Sequence, residues 1–425
     1  MRIIVNPPRS EWDALTRRQG VDYEGIRSRV ESILSSVESE GDVALKRLMR
    51  DIDGVDAALE VTDVEIDAVC RAVPEAVAEA IRTAKTNIEA FHRAQMPREI
   101  RVETAPGVVC IQRPVPIRRV GLYIPGGSAP LFSTVLMLAV PAALAGCSER
   151  ILCTPCGKDG SIAPEVLFAA RECGISRIFR LGGAQAVAAM AFGTESVPKV
   201  DKIFGPGNPY VTLAKQLVSG RNTAIDMPAG PSEVMVLADG SSPAAFAAAD
   251  LLSQAEHGKD STAVLVCTER SYAEKVLQEV DYQRSNLSRN AQVDGSLAHS
   301  YAVVFQDIRE MVDFAEAYAP EHLIIAMENA FDIAGRITAA GSVFVGPWSP
   351  ESAGDYASGT NHTLPTSGWA RSCSGVNIDS FLRKMTLQEI TREGLASLAP
   401  TIVSMAQAEG LEAHARAVTI RTTML

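Results

Sequence analysis

The spacing of hydrophobic residues gives the first part of the chain a helical character. In 24–48 and again in 63–91, apolar side chains return every three or four positions, which predicts amphipathic helices. Pro114 and Pro116 close this stretch. We therefore predict that residues 1–118 form a mostly helical N-terminal region, and we expect it to pack with the second of the two domains described next.

From residue 119 onwards, short apolar runs alternate with amphipathic stretches. We predict strands at 120–124, 150–154, 177–181 and 202–204, followed by helices at 132–145, 164–171, 184–191 and 210–218. Strand–helix alternation of this kind is typical of a parallel sheet covered by helices. Residues 119–228 are thus predicted to form a first Rossmann-like domain.

A second set of strand–helix units follows. The predicted strands are 234–237, 262–267, 301–305, 323–326 and 342–345, with helices at 243–257, 272–280, 307–318 and 330–338. We assign 229–380 to a second Rossmann-like domain and 381–425 to a short helical C-terminal arm, too short for a core of its own. The predicted fold class is α/β with two tandem parallel-sheet domains. Neither carries the G-x-G-x-x-G dinucleotide fingerprint.

Composition narrows the class of protein. Hydrophobic residues make up 47% and charged residues 21%, as in ordinary globular domains. A net charge of −11 argues against a nucleic-acid or anionic-membrane partner. The longest apolar run, 135–147, contains Pro141 and is shorter than the roughly 20 residues of a membrane span. We expect a cytoplasmic protein. Its lone C-x-x-C (Cys153, Cys156) has no matching second pair, which favours buried thiols over the alternative of a metal or redox site.

Three glycine-containing turns each lie between a predicted strand and a helix. They are Gly126-Gly127-Ser128, Gly182-Gly183-Ala184-Gln185 and Gly205-Pro206-Gly207-Asn208. Such a turn lets the backbone approach an anion at the start of the helix, although glycine there can also serve the turn geometry alone. Ligands of open α/β sheets bind outside the carboxyl ends of the strands, so we expect the site at those ends.

Histidines are scarce, and four of the six stand beside other polar groups. Gln254 and His257 share one face at a helix end, Glu321-His322 precede an apolar strand, Asp355 and His362 flank a polar segment, and Glu409 lies five residues before His414. Such side chains are plausible zinc ligands, but their spacing matches no compact zinc motif, so scattered polar or core histidines remain the alternative. His92 and His299 are expected at the surface.

Long sequence runs, in order along the chain, identify a family. They are VGLYIPGGSAPLFSTVLM (120–137), LGGAQAVAA (181–189), IFGPGNPY (203–210), IDMPAGPSE (225–233), LLSQAEHG (251–258), APEHLII (319–325), SAGDYASGTNHTLP (352–365), CSG (373–375) and EGLEAHARAV (409–418). Over residues 20–421 the chain resembles the histidinol dehydrogenase family. The resemblance implies a zinc- and NAD-dependent homodimer that oxidises L-histidinol to L-histidine in two hydride transfers, the last step of histidine biosynthesis.

The same resemblance implies roles for particular residues. Glu321 and His322 would be catalytic, and Gln254, His257, Asp355 and His414 would bind one zinc per subunit and, through it, the substrate. Ser232, His362 and Glu409 would contact histidinol, together with His322, and Tyr123, Gln185 and Asn208 would contact NAD. The C-terminal arm would complete the partner's site. A difference from the family pattern is Pro209, which suits the first turn of a helix.

The residue types fit this reaction. An imidazole titrates near neutral pH, so His322 can take the hydroxyl proton of an alcohol. Glu321 can activate the water that adds to the aldehyde before the second oxidation. The two neighbours can serve one pocket if the chain bends near Pro320. A zinc hydrolase or a non-catalytic relative is the alternative. The intact catalytic and zinc-binding residues disfavour the relative, and the three glycine turns disfavour the hydrolase.

Overall fold

The computed structural model describes residues 1–18, 23–126, 130–228 and 230–423. The strands are β1 (Arg2–Val5), β2 (Ile100–Ala105), β3 (Val108–Pro116), β4 (Arg119–Tyr123), β5 (Glu149–Thr154), β6 (Arg177–Arg180), β7 (Lys202–Phe204), β8 (Ala224–Ile225), β9 (Glu233–Ala238), β10 (Thr262–Cys267), β11 (Tyr301–Val304), β12 (His322–Ala326), β13 (Ser342–Val345) and β14 (Leu382–Ile390).

The α-helices are α1 (Arg9–Leu15), α2 (Tyr23–Glu40), α3 (Asp42–Leu48), α4 (Asp63–Cys70), α5 (Glu75–Arg93), α6 (Phe132–Ala145), α7 (Pro164–Glu172), α8 (Gly183–Phe192), α9 (Pro209–Ser219), α10 (Ala244–Ala255), α11 (Arg270–Arg284), α12 (Asn290–His299), α13 (Ile308–Tyr318), α14 (Ala330–Ala334), α15 (Glu351–Tyr356), α16 (Arg392–Ala408) and α17 (Glu412–Thr423). A π-helix covers Met49–Asp53, and 3₁₀ turns cover Trp369–Arg371 and Ile378–Phe381. Among the described helices, none has the length and apolar character needed to cross a membrane.

Two parallel sheets confirm the predicted fold class. The first has the strand order β6-β5-β4-β7-β8, and the second has β1-β11-β10-β9-β12-β13. If the strands of each strand–helix set are numbered in chain order, which leaves out β1, both sheets have the strand order 3-2-1-4-5. The direction of the order reverses beside strand 1, as it does in a Rossmann-like half. The shared topology agrees with the prediction of two related α/β units. Where one unit ends and the next begins stays a prediction.

The N-terminal region divides between the two sheets, which differs from the predicted packing. Strand β1 pairs in parallel with β11 at the edge of the second sheet. In α1 the buried Trp12 meets the rings of Phe305 and Phe314 edge-on, at centroid distances of 5.5 and 5.4 Å. Helices α2 and α5 pack instead on α8, α9, α6 and α7 of the first sheet. Their apolar stripes therefore complete the first core.

A third sheet corrects the prediction for both ends of the chain. Strands β2 and β3 form an antiparallel hairpin within the region read as helical, and β14 pairs antiparallel with β3 at the start of the predicted helical arm. In β14 the apolar residues Leu382, Met385 and Leu387 mix spacings of three and two, so the local pattern fits a helix as well as a strand. Long-range pairing with β3 decides the outcome. In the described part of the arm, α16 and α17 are helical as predicted.

A buried ion pair fixes the loop that follows β7. Lys215 of α9 pairs with Asp226, and their side chains are 5% and 2% exposed. The Lys215 ammonium also donates to the carbonyl oxygen of Gly205 at 2.7 Å, while Asp226 accepts from the Gly205 amide at 2.8 Å. Gly205 has a φ of +122°, and a Cβ at this position would collide with the Tyr123 carbonyl oxygen, so the position requires glycine. The pair therefore holds this glycine turn in place.

We expect Lys215→Met to destabilise the fold strongly. The substitution leaves Asp226 buried without its cation, and breaking a buried pair in this way costs about 3–5 kcal/mol. Urea unfolding followed by circular dichroism measures the loss. The control is Lys158→Met at an exposed lysine, which should change the free energy of unfolding by less than about 0.5 kcal/mol. Equal stability of the two variants would contradict the role given to Lys215.

Candidate active site

A deep cleft runs between the two parallel sheets. Its volume is about 360 Å³. On one side it is lined by the segments that follow β4 and β7, at the carboxyl end of the first sheet. On the other it is lined by the segments that precede β9, β10 and β12, at the amino end of the second sheet. Tyr23, at the start of α2, also contributes to the wall. The cleft thus joins opposite ends of the two related sheets.

On the first-sheet side, two helices begin at the cleft. Ser133 and Thr134 lie in the first turn of α6, and Asn208 precedes α9; all three line the wall. The Asn208 side chain caps α9 by accepting from the Val211 amide at 3.1 Å, and Pro209 occupies the first helical position, as predicted. Helix N-termini favour anions, so this side suits a phosphate-bearing ligand. Of the first glycine turn, Gly127 and Ser128 lie outside the described residues.

On the second-sheet side, the candidate catalytic and substrate-binding residues lie at the amino ends of the strands, not at the expected carboxyl ends. Ser232 precedes β9, Glu321 precedes β12, and His322 is the first residue of β12. All three line the cleft. The bend expected near Pro320 is made by Ala319, whose φ of +52° turns the chain out of α13. The carboxyl-end rule holds for the first sheet only.

Glu321 is held by a chain of buried contacts. Its carboxylate accepts the backbone N–H of Glu233 at 2.9 Å. The Glu233 side chain in turn accepts two hydrogen bonds from Arg18, at 2.7 and 2.8 Å, and one from the Ser367 amide at 3.1 Å. Burial raises the pKa of Glu321 well above its usual range, although the Glu233 amide opposes this. Sequence reasoning missed both Glu233 and Arg18.

His322 is enclosed by carboxylates. Its Nδ1 lies 3.5 Å from Glu351 Oε1 and 3.7 Å from Glu321 Oε2, and its Nε2 lies 3.9 Å from Asp355 Oδ1. Within the described residues neither ring nitrogen has a hydrogen-bond partner. Burial lowers the pKa of His322 to about 3, helped by the neighbouring His257. In this state the imidazole is neutral and can accept a proton.

Beside His322 lies a group of potential metal ligands. One ligand atom each of His257, Glu351 and Asp355 lie within 4.8 Å of one another. Gln254, at the end of α10, is fully buried, and neither atom of its amide has a partner within the described chain. Burial raises the pKa of Asp355 to about 7. A buried amide without a partner, beside three residues that offer nitrogen and oxygen ligand atoms, fits a divalent cation such as zinc.

His362 connects the two sides of the cleft. Its Nδ1 donates to the backbone carbonyl of Asp355 at 2.9 Å, since a carbonyl can only accept. The other nitrogen, Nε2, then accepts from the hydroxyl of Thr134 at 3.3 Å. Burial lowers the pKa of His362 to about 4. A neutral imidazole therefore lies between α6 of the first sheet and α15 of the second.

Two of the residues expected to contact NAD lie beneath the surface, outside the residues that line the cleft. Tyr123 is 3% exposed, and its hydroxyl accepts from the Gly183 amide at 3.1 Å. Gln185 is 2% exposed and donates to Asp53 at 3.2 Å. Tyr123 thus holds the backbone of the glycine turn that opens α8, and Gln185, the last residue of that turn, ties it to Asp53. Both side chains therefore support the turn.

Two further predicted site residues lie on the exposed surface of the arm, outside the residues that line the cleft. Glu409 follows α16 and His414 lies in α17; both are exposed, and neither lines the cleft. Met405 and Leu411, on the same hairpin, are 61% and 42% exposed. Within one chain, the site therefore lacks the two residues that the arm was expected to supply.

One carboxylate of the site was missed, and one histidine was misplaced. Glu351 stands four residues before Asp355, a spacing that puts both on one face of α15, and this spacing could have identified it.

His92 is fully buried rather than at the surface, with Nδ1 bonded to the Ile88 carbonyl at 2.8 Å. Cys153 is buried as expected, while Cys156 is half-buried. Neither lines the cleft.

Comparison with known proteins identifies the family. A sequence model of histidinol dehydrogenase matches residues 16–422. Histidinol dehydrogenase of Bacteroides fragilis (strain YCH46) is 53% identical over 422 residues, covering 99% of each chain, and that of Vibrio vulnificus (strain CMCP6) is 50% identical, covering 100% of this chain and 99% of its own. The crystal structure of histidinol dehydrogenase from Elizabethkingia anophelis superposes with a TM-score of 0.97 at 46% identity, over 100% of this chain and 98% of that one. The chain belongs to the histidinol dehydrogenase family of NAD-dependent oxidoreductases.

Proposed function

We propose that this enzyme oxidises L-histidinol to L-histidine through histidinal, as the last step of histidine biosynthesis in the cytoplasm. Each histidinol would consume two NAD, and each subunit would bind one zinc. The observation that carries the proposal is the cleft itself. It places two helix N-termini, suited to a phosphate-bearing cofactor, opposite the group formed by His322, Glu321, His257 and Asp355. Family membership supplies the substrate class.

The first oxidation removes a proton and a hydride from the alcohol. His322 accepts the hydroxyl proton on its free ring nitrogen, which is possible because burial keeps the imidazole neutral. The aldehyde must then gain water to become a gem-diol. Glu321 takes a proton from that water while the aldehyde oxygen gains one. The second oxidation then removes a hydride and two protons from the gem-diol, which gives the carboxylate. Two carboxylate neighbours, Glu351 and Asp355, face the positive charge that develops on His322.

Gln254, His257 and Asp355 of one subunit would hold the zinc, with His414 supplied by a second copy of the chain. NAD, when bound, would accept the hydrides, and zinc would supply a template for the nitrogen atoms of histidinol. Ser232, His362 and the second copy's Glu409 would contact the substrate. Asn208 would contact NAD directly, whereas Tyr123 and Gln185 would act through the turn they support.

The stoichiometry of the reaction tests the function. We expect the zinc-loaded enzyme to release two NADH for each histidinol consumed and to form histidine, without accumulation of histidinal. Absorbance of NADH and chromatography of the products measure both quantities. One NADH per histidinol, with histidinal as the end product, would show that the second oxidation is not catalysed. The absence of NADH would refute the proposed function as a whole.

A further inference from the structure

Glu351 is a buried carboxylate beside His322 to which sequence reasoning assigned no role. It is the first residue of α15 and is 1% exposed. Neither carboxylate oxygen has a hydrogen-bond partner among the described residues, and both ring nitrogens of His322 are equally unpartnered. A buried polar group without a partner lowers the stability of the fold. Two such groups side by side in a site therefore indicate an interaction that serves function.

The two unpartnered groups face each other. Glu351 Oε1 lies 3.5 Å from His322 Nδ1, so a small rotation of either side chain would make a hydrogen bond. The other carboxylate near Nδ1, Glu321 Oε2 at 3.7 Å, already accepts the Glu233 amide. Glu351 is therefore the better acceptor for Nδ1.

We propose that Glu351 is a positioning residue that accepts the Nδ1–H of His322 and so fixes which ring nitrogen meets the substrate. A neutral imidazole carries one proton and one free lone pair. With the proton held on Nδ1, the lone pair is on Nε2, the nitrogen on the Asp355 side and thus next to the proposed zinc and substrate. Carboxylates orient imidazoles in this way in other sites. The inference rests on the proposed function for its meaning.

The geometry also allows Glu351 a second role, that of a metal ligand. It lies within 4.8 Å of His257 and Asp355, so it could instead bind the cation directly. The two roles give different results. Loss of a ligand lowers zinc content, whereas loss of an orienting carboxylate lowers the rate of both oxidations and changes the tautomer of His322 with zinc unchanged.

The experiment compares Glu351→Leu, which cannot accept a hydrogen bond, with Glu351→Gln, whose amide oxygen can. We expect Glu351→Leu to lower kcat for both histidinol and histidinal by about 10–100-fold, with unchanged KM and zinc content. Glu351→Gln should restore most of the rate. Glu328→Leu, at an exposed carboxylate, serves as the matched control.

The ¹⁵N spectrum of labelled histidines provides the readout that a purely structural role would not change. We expect the Nδ1–H tautomer of His322 in the wild type and in Glu351→Gln, assigned by its loss in His322→Gln, and a shifted tautomer in Glu351→Leu. Reduced zinc content, wild-type kcat in Glu351→Leu, or an Nε2–H tautomer in the wild type would each overturn the proposal. If Glu351→Leu fails to fold, the wild-type and Glu351→Gln spectra still decide it. A wild type that oxidises neither compound would refute the proposed function instead.

Discussion

Glu321→Gln should stop the proposed reaction after its first oxidation. The amide oxygen of glutamine can still accept the Glu233 N–H that holds Glu321 at 2.9 Å, so the local geometry survives. The amide cannot take a proton from water, however, and histidinal must gain water before it can lose the second hydride. Loss of a general base typically slows a step by about 10²–10⁴-fold. We expect a loss of this size for histidinal oxidation and a much smaller one for histidinol oxidation.

The two steps can be measured separately. Stopped-flow absorbance of NADH with histidinal as the substrate reports the second oxidation alone, and product analysis with histidinol reports the accumulation of histidinal. Glu328→Gln, at an exposed carboxylate outside the cleft, is the matched control and should retain both rates. An equal slowing of both oxidations by Glu321→Gln would assign Glu321 to substrate binding or to the first proton transfer, contrary to this prediction.

The strand–helix units were predictable because their signal is local. Strand β7 and helix α6 of the first strand–helix set begin and end at the predicted residues, as do strands β10 and β13 of the second set. Each strand there is a short apolar run bounded by turn residues, since it is buried on both faces. The third sheet has no such signal, because β2 and β14 are largely exposed and depend on pairing with β3.

The site shows a different limit of sequence reasoning. Residue types and family resemblance identified His322, His257 and Asp355, and the structure brings these together. Their position at the amino end of the second sheet did not follow from the carboxyl-end rule, because that rule describes one sheet at a time. Here the cleft lies between two sheets. Contacts made across the fold, such as Arg18 with Glu233, leave no trace in local spacing.

The two site residues proposed on the C-terminal arm do not reach the cleft of their own chain. Glu409 and His414 match the family pattern, yet both are exposed and outside the cleft. The helical hairpin α16–α17 buries few of its own residues and leaves Met405, Leu411 and Ile420 at least 42% exposed. An apolar hairpin of this kind needs a partner surface. We therefore expect the arm to cross to a second copy of the chain and complete that copy's site.

Subunit exchange between two inactive variants tests this crossover. His322→Ala damages the body of one chain, and His414→Ala damages the arm of the other. If the arm crosses, one site of the heterodimer receives both lesions and the other receives neither, so activity should recover to about half of wild type per heterodimer. The matched control pairs His322→Ala with Asp355→Ala, whose lesions both lie in the body, so every site stays damaged in either arrangement. Mass spectrometry confirms that heterodimers have formed. If activity returned in neither mixture, each arm would serve its own chain, and the exposed hairpin would have to fold back to reach the cleft.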